Sequence, residues 1–193
     1  MPRLVLITGA PASGKSELAG RVAERYGAYC CSKDSIKEIL FDTLGSGDAG
    51  WSRRLSDASF ALLFALALPL CRADRPLLLE GNFRPGEHEH ALVPVLGGGV
   101  QLGQILCRAG RATRAARLAA RAGDPRRHPG HHDERTGMQP TSALAADAGF
   151  LRLPGPRLQF DSDAPWEAQF QAVCAALDAW GLACISIEGN IDR

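Results

Sequence analysis

The chain has 193 residues, of which 46% are hydrophobic, enough to build the core of one α/β domain. Its 22 basic and 21 acidic residues leave a formal net charge of +1. The overall charge therefore does not indicate a nucleic-acid-binding protein, and any basic surface must be local. The six cysteines form no CxxC pair and no secretory signal is evident. We therefore expect a soluble cytoplasmic protein with reduced thiols, four of them in the core: Cys30, Cys71, Cys107 and Cys174.

Buried apolar runs alternate with helical patterns along the chain, which predicts a single parallel three-layer α/β domain over residues 1–193. The apolar stretch Phe60–Cys71 is too short to span a bilayer and is typical of a buried helix. The predicted strands cover 3–9, 28–31, 77–79, 100–107 and part of 157–163, and the predicted helices cover 13–26, 32–45, 51–72, 87–96, 111–121 and 165–180.

The loop GAPASGKS follows the first predicted strand and precedes the first predicted helix. It satisfies the pattern G-x-x-x-x-G-K-[ST], in which backbone amides and a helix N-terminus surround phosphates. In this chemistry Lys15 contacts the β- and γ-phosphates, and Ser16 contributes to a Mg²⁺ shell. We predict that ATP and Mg²⁺ are the cofactors and that the nucleotide is held by Gly9, Ala10, Pro11, Ala12, Ser13, Gly14, Lys15, Ser16 and Glu17.

The second predicted strand leads into SKDSIKE, at the sheet edge where such folds bind ligands. A carboxylate at Asp34 can accept the proton of a hydroxyl as it attacks the γ-phosphate. Lys37, on the same helix face, can hold an anionic part of the acceptor. The alternatives are that Asp34 only caps the helix, or that the two residues form a solvated ion pair.

The third predicted strand ends in LLLEGNF. Glu80 is placed to act near Mg²⁺ or its water shell, in the manner of a Walker B carboxylate. Asn82 can hydrogen-bond the nucleotide or the acceptor. The alternative is an ordinary strand-end turn built on Gly81 and Asn82.

The helix after the fourth predicted strand carries Arg114, Arg117 and Arg121 on one face. Phosphoryl transfer needs cations over the β,γ-phosphates, and the polar, Gly- and Pro-rich loop that follows contains Arg127. We interpret residues 111–136 as a lid that closes on the nucleotide, with a solvated basic helix as the alternative.

The histidines, all in the middle of the chain, admit two interpretations. Their H-x-H and H-x-x-H-H spacings allow a metal site, but no cysteine joins them at ligand spacing. We favour lid or acceptor contacts for some of the five: His88, His90, His128, His131 and His132.

Together these segments, over roughly residues 3–136, resemble the P-loop kinases grouped as AAA-type predicted kinases. These are relatives of polynucleotide 5′-kinases, zeta toxins and chloramphenicol phosphotransferases. The resemblance rests on LVLITGAPASGKSELA, SKDSIKEILFDTLG, PLLLEGNF and the arginine-rich helix that continues into RHPGHHDE. It implies a P-loop fold with five parallel strands in the order 2-3-1-4-5.

The resemblance also implies roles for individual residues. In polynucleotide 5′-kinases the Asp after the second strand is the general base, which is the position of Asp34 here. Lys37 stands where those enzymes use an Arg on an acceptor phosphate, so the charge is kept but the bidentate fork is lost. Arg117 and Arg121 match the family's R-x-x-x-R pattern leading into the lid.

We therefore expect an ATP-dependent phosphotransferase that moves the γ-phosphate to a hydroxyl of a small-molecule or nucleotide-like acceptor. The alternatives are a polynucleotide 5′-hydroxyl kinase, and a P-loop ATPase, nucleotide-dependent switch or binding module. Phe60–Cys71 can equally pack across an interface, so a monomer or a homodimer is expected, without a membrane partner. The predicted catalytic residues are Lys15, Asp34, Arg117 and Arg121; the acceptor residues are Asp34, Lys37, Asn82 and Arg127; the metal residues are Ser16 and Glu80.

Overall fold

The computed structural model describes residues 3–73, 75–122, 124, 128 and 149–182. Five of its segments are strands of one parallel sheet, namely β1 Arg3–Gly9, β2 Tyr29–Ser32, β3 Leu77–Glu80, β4 Gln101–Arg108 and β5 Arg157–Asp161. Their order across the sheet is β2-β3-β1-β4-β5, which confirms the predicted fold. The described helices are α1 Lys15–Tyr26, α2 Lys33–Leu44, α3 Ala49–Cys71, α4 Glu89–Gly97, α5 Arg111–Ala122 and α6 Trp166–Ala179.

Local signals set the helix boundaries. Gly27, with φ of 57°, ends α1 in the left-handed conformation that glycine adopts without strain. The hydroxyl of Ser32 accepts a hydrogen bond from the first turn of α2, and the carboxylate of Asp48 does the same for α3. The predicted helix at 87–96 extends to Gly97, because Pro94 lies within α4 without ending it.

The sheet carries a core on each face. Alternate residues of β1 point to opposite sides, so that Leu4 and Leu6 pack with α3 and α4. Val5 and Ile7 pack with α1 and α6 on the other side. Because helices cover both faces, β1 and β3 consist of buried residues almost throughout, as is typical of parallel sheets.

Helix α3 departs from the prediction that Phe60–Cys71 is buried. Phe60, Leu63 and Ala67 face the core, whereas Leu62 and Leu66 are 44% and 46% exposed. An apolar run longer than two turns reaches all sides of a helix, but only one side of α3 has a sheet to cover it. By length and mean hydropathy α3 also satisfies a membrane-span criterion, which core helices of soluble proteins satisfy as well.

The prediction for one cysteine is wrong. Cys30 is exposed, because β2 is an edge strand that pairs with β3 alone. Cys71, Cys107 and Cys174 are buried, and burial raises the pKa of Cys71 to about 11 and that of Cys107 to about 12. These two thiols are therefore un-ionised and unreactive at neutral pH.

A buried phenol joins the two helices on the α1 side of the sheet. The phenol of Tyr26 is fully buried and donates to Asp178 Oδ1 at 2.8 Å, and it also lies 3.0 Å from the Cys174 carbonyl oxygen. Burial and these contacts raise the pKa of Tyr26. The hydroxyl thereby fixes the end of α1 against α6.

Tyr26→Phe removes this hydroxyl and with it the hydrogen bond to Asp178 and the contact with the Cys174 carbonyl. We expect the free energy of unfolding to fall by about 1–2 kcal/mol, measured by urea denaturation. The matched variant is Tyr29→Phe on the exposed edge strand, for which we expect a change within about 0.5 kcal/mol. Equal effects of the two substitutions would contradict this role of Tyr26.

Candidate active site

The phosphate loop lies between β1 and α1, at the carboxyl edge of the sheet. Gly14 has φ of +89°, and a Cβ there would lie 3.2 Å from the Ser162 Cβ. The backbone conformation favours glycine, and an added Cβ would also crowd Ser162. The loop, the first residues of α1 and the side chains of Arg117 and Arg121 line a cavity of about 210 Å³. Six of the nine predicted nucleotide residues, from Ala12 to Glu17, line this cavity, and the other three, Gly9, Ala10 and Pro11, directly precede them.

Lys15 is one of the cations that line this cavity. It is 9% exposed, and its Nζ donates to the carbonyl oxygen of Ala10 at 2.9 Å. Burial lowers the pKa of Lys15, while the nearby charge of Glu80 opposes that shift. An ammonium group turned back on its own loop is placed to exchange the carbonyl for a phosphate oxygen.

One buried hydroxyl in the loop also fits a phosphate ligand. Ser13 is 1% exposed, and its Oγ has no hydrogen-bond partner among the described residues. A buried polar group without a partner is costly, and a phosphate oxygen in the cradle would accept its hydrogen bond.

Glu80 lies at the end of β3, directly beside the phosphate loop. It is 2% exposed, and its Oε2 accepts a hydrogen bond of 2.6 Å from the Ser32 hydroxyl. Burial raises the pKa of Glu80, and the charge of Lys15 and the Ser32 hydrogen bond act in the opposite direction. This carboxylate and the hydroxyl of Ser16 both offer hard oxygen ligands, the chemistry that Mg²⁺ prefers.

Asp34 lies in the first turn of α2, but it is not the helix cap. The Ser32 hydroxyl accepts from the Asp34 backbone N–H at 3.2 Å, so Ser32 fills the capping role that was the alternative for Asp34. The Asp34 side chain is 48% exposed and its Oδ1 lies 3.2 Å from the Nζ of Lys33. It is therefore a carboxylate that solvent or an acceptor can reach.

Lys37 shares α2 with Asp34 but faces the protein interior. It is 9% exposed, and its Nζ donates to the Ser52 hydroxyl of α3 at 2.8 Å. The second alternative, a solvated ion pair of Asp34 with Lys37, does not describe this arrangement, because the ammonium next to Asp34 belongs to Lys33. Lys33 and Lys37 are one turn apart on the buried side of the helix.

Arg117 connects the phosphate loop to the turn after β5. Its guanidinium donates to the Ala12 carbonyl at 3.1 Å and to the Ser162 hydroxyl and carbonyl at 2.8 and 3.2 Å. Arg121, one turn later, lines the phosphate cavity, whereas Arg114 is buried. The arginines of α5 that match the R-x-x-x-R pattern are thus the two at the cavity.

The other predicted residues have different placements. Asn82 is half-buried at the end of β3. His88 stacks on Phe60 with ring centroids 4.2 Å apart, and His128 lies 3.0 Å from Asp42 of α2. Of the predicted lid over 111–136, the structure describes 111–122, 124 and 128; Arg127, His131 and His132 lie outside the described residues.

The sequence interpretation missed Ser32 and Lys33, each of which contacts a predicted site residue. A compositional signal points to Lys33. Nineteen of the 22 basic residues are arginines, and all three lysines, Lys15, Lys33 and Lys37, are buried at this edge of the sheet. In a chain that uses arginine almost everywhere else, the three lysines at one sheet edge indicate sites that suit a compact ammonium group.

Residues 4–146 match a family described as AAA domain. The chain belongs to this family. A structure from Chloroflexus aurantiacus J-10-fl, described as a candidate kinase, is 30% identical with a TM-score of 0.81, over 90% of this chain and 97% of that one. No protein with a curated description matches the chain.

More distant structures share the fold. The Mycobacterium tuberculosis APS kinase CysC, solved with AMPPNP and APS, is 22% identical with a TM-score of 0.59, over 91% of this chain and 97% of that one. A sugar kinase from Janibacter sp. HTCC2649 is 16% identical with a TM-score of 0.64, over 95% and 99%. The domain therefore has a P-loop kinase-like fold.

Gly14→Ala tests the geometry of the phosphate loop. An added Cβ is strained at φ of +89° and crowds Ser162, so we expect the affinity for Mg²⁺·ATP to fall at least tenfold, measured by calorimetry.

The matched variant is Gly20→Ala on the exposed side of α1, where a Cβ meets nothing within 4 Å. We expect it to keep the affinity and to add about 0.5–1 kcal/mol of stability. Wild-type affinity in Gly14→Ala would show that the nucleotide binds elsewhere.

Proposed function

We propose that the protein is an ATP-dependent kinase that transfers the γ-phosphate of ATP to a hydroxyl group of a small-molecule acceptor. The observation that carries this proposal is the presence of two carboxylates in opposite environments at one sheet edge. Glu80 is buried beside Lys15, while Asp34 is half exposed on the neighbouring helix. Two carboxylates in such different surroundings suit two different tasks, the buried one binding the metal ion and the exposed one accepting the proton of the acceptor.

In the proposed reaction the hydroxyl oxygen of the acceptor forms a bond to the γ-phosphorus. The bond from that phosphorus to the β,γ-bridging oxygen breaks, and ADP leaves. Asp34 accepts the proton that the hydroxyl releases. Because the Asp34 carboxylate is half exposed on α2, an acceptor hydroxyl from solvent can reach it, and this favours transfer over hydrolysis.

The roles of the other charged and polar residues in the reaction follow from their positions around the phosphate loop. Lys15 and the loop amides bind the phosphates, and Arg117 and Arg121 are the cations that balance the charge of the transferred group. Ser16 and Glu80 would hold Mg²⁺, directly or through water, and the bound ion would neutralise charge on the phosphate oxygens. To contact the transferred group, the Arg117 guanidinium must break its present hydrogen bonds to Ala12 and Ser162.

The surroundings of Asp34 indicate an acceptor with an anionic group. Lys33 and Lys37 place two ammonium groups on the same side of α2. Both side chains are buried, but their positive charge would attract a phosphate or carboxylate on an acceptor that approaches Asp34. The near-neutral net charge favours a small molecule over a long polynucleotide, which needs many phosphate contacts.

Asp34→Asn tests the assignment of the base. We expect transfer to an acceptor to fall by two or more orders of magnitude, because the amide cannot accept the proton. The dissociation constant for Mg²⁺·ATP should stay within about threefold, since Asp34 lies outside the phosphate loop. Both are measured with an acceptor that stimulates the wild-type protein, chosen from nucleosides, sugars, aminoglycosides, chloramphenicol-like compounds and 5′-hydroxyl oligonucleotides.

The matched control is Asp57→Asn, the same substitution at an exposed position of α3. We expect it to keep wild-type transfer. A loss of ATP binding in Asp34→Asn, or equal transfer in the two variants, would overturn the assignment.

A further inference from the structure

Lys33 occupies an enclosed position for a charged side chain. It is 5% exposed, and its stem runs along the end of β3, where a Cβ on Gly81 would lie 3.2 Å from the Lys33 Cβ. The missing side chain at Gly81 therefore makes room for the lysine. Burying an ammonium group costs free energy unless nearby groups compensate it, so a lysine this enclosed requires favourable interaction partners.

The partners of this ammonium lead directly to the proposed base. Its Nζ lies 3.2 Å from Asp34 Oδ1 and 5.7 Å from the centroid of the Phe60 ring. The aromatic face and the carboxylate are thus the partners of the buried ammonium group. Since Lys33 is held by its surroundings and Asp34 is half exposed, the lysine is the fixed member of the pair.

Other charges also act on Asp34 from the elements around it. Glu80 at the end of β3 carries a like charge, and Lys15 at the start of α1 an opposite one. Lys37 lies one turn along α2. Among these groups, Lys33 is the one for which the structure gives a direct contact with the Asp34 carboxylate.

We propose that Lys33 is a positioning residue of the transfer site, whose ammonium orients the Asp34 carboxylate and keeps it ionised, ready to accept the proton of the acceptor. This inference rests on the proposed kinase function. The proton moves from the acceptor hydroxyl to Asp34, and Lys33 keeps its own protons throughout. The backbone of the same turn is fixed by Ser32, which accepts from the Asp34 N–H.

The test is Lys33→Met, which keeps the length of the stem and removes the charge. Without the neighbouring cation, the ionised carboxylate is less favourable, so we expect the titration midpoint of Asp34 to move to higher pH by about one unit. The midpoint is read from the carboxyl ¹³C signals of protein labelled at aspartate, with the Asp34 signal assigned by its absence in Asp34→Asn. This readout needs no acceptor.

Two further variants complete the comparison. Lys33→Arg keeps the charge, and we expect its Asp34 midpoint to stay within about 0.3 units of wild type. Arg54→Met removes an exposed cation of α3 and should leave the midpoint unchanged. If Lys33→Met fails to fold, Lys33→Gln is read by the same titration.

The kinetic consequence separates positioning from a purely structural role. At neutral pH we expect kcat of Lys33→Met to fall at least tenfold with the KM for ATP within about twofold, because the carboxylate is no longer oriented, and we expect the acid limb of the kcat profile to move to higher pH together with the Asp34 midpoint. An unchanged Asp34 midpoint in Lys33→Met, with or without a lower melting temperature, would overturn the proposal. If wild-type protein transfers phosphate to no acceptor, the kinase function fails, while the titration still decides whether Lys33 controls Asp34.

Discussion

The parallel register of three neighbouring strands is the constraint on which the site depends. Ile7 of β1 pairs with Glu80 of β3, and Glu80 pairs with Ser32 of β2. Strands β2 and β3 therefore end level and β1 runs two residues further, to Gly9, so that the phosphate loop, the buried carboxylate and the start of α2 meet at one edge. A slip of one residue between β2 and β3 would turn alternate side chains to the opposite face and separate Ser32 from Glu80.

The charges at this edge are balanced in a way that suits phosphoryl transfer. Three buried lysines face two carboxylates, Glu80 in the interior and Asp34 at the surface, so these five groups carry an excess of positive charge. The site is therefore prepared for further negative charge, which a nucleotide triphosphate brings. Arg117 donates its hydrogen bonds to Ala12 and Ser162 in this structure and must release them to contact a phosphate. We therefore expect nucleotide binding to be coupled to a rearrangement of α5.

Local patterns predicted much of this molecule. The phosphate loop could be recognised because the whole cradle is contiguous in sequence, and the alternation of apolar runs with helical patterns predicted the fold class. The strand order followed only from the resemblance to known kinases, because spacing alone does not fix which strands pair. Asp34 was singled out by its place after a strand, although the sequence left its role as a cap open.

The features that escaped prediction depend on contacts between distant residues. The hydrogen bond from Ser32 to Glu80 spans 48 positions, and those from Arg117 to Ser162 span 45. The enclosure of Lys33 depends on Gly81 and Phe60, which no local pattern relates to it. Cys30 was assigned to the core because its neighbours are apolar, but an edge strand exposes what a central strand would bury.

The most direct measurement follows the γ-phosphoryl group itself. ATP labelled with ¹⁸O in the γ-phosphate is incubated with protein, Mg²⁺ and a mixed pool of small hydroxyl compounds, and the products are separated by mass spectrometry. A kinase places the label on an organic acceptor, with inorganic phosphate as a minor product. Label found only in inorganic phosphate, at a rate that no acceptor changes, would contradict the proposed transfer and favour a P-loop ATPase.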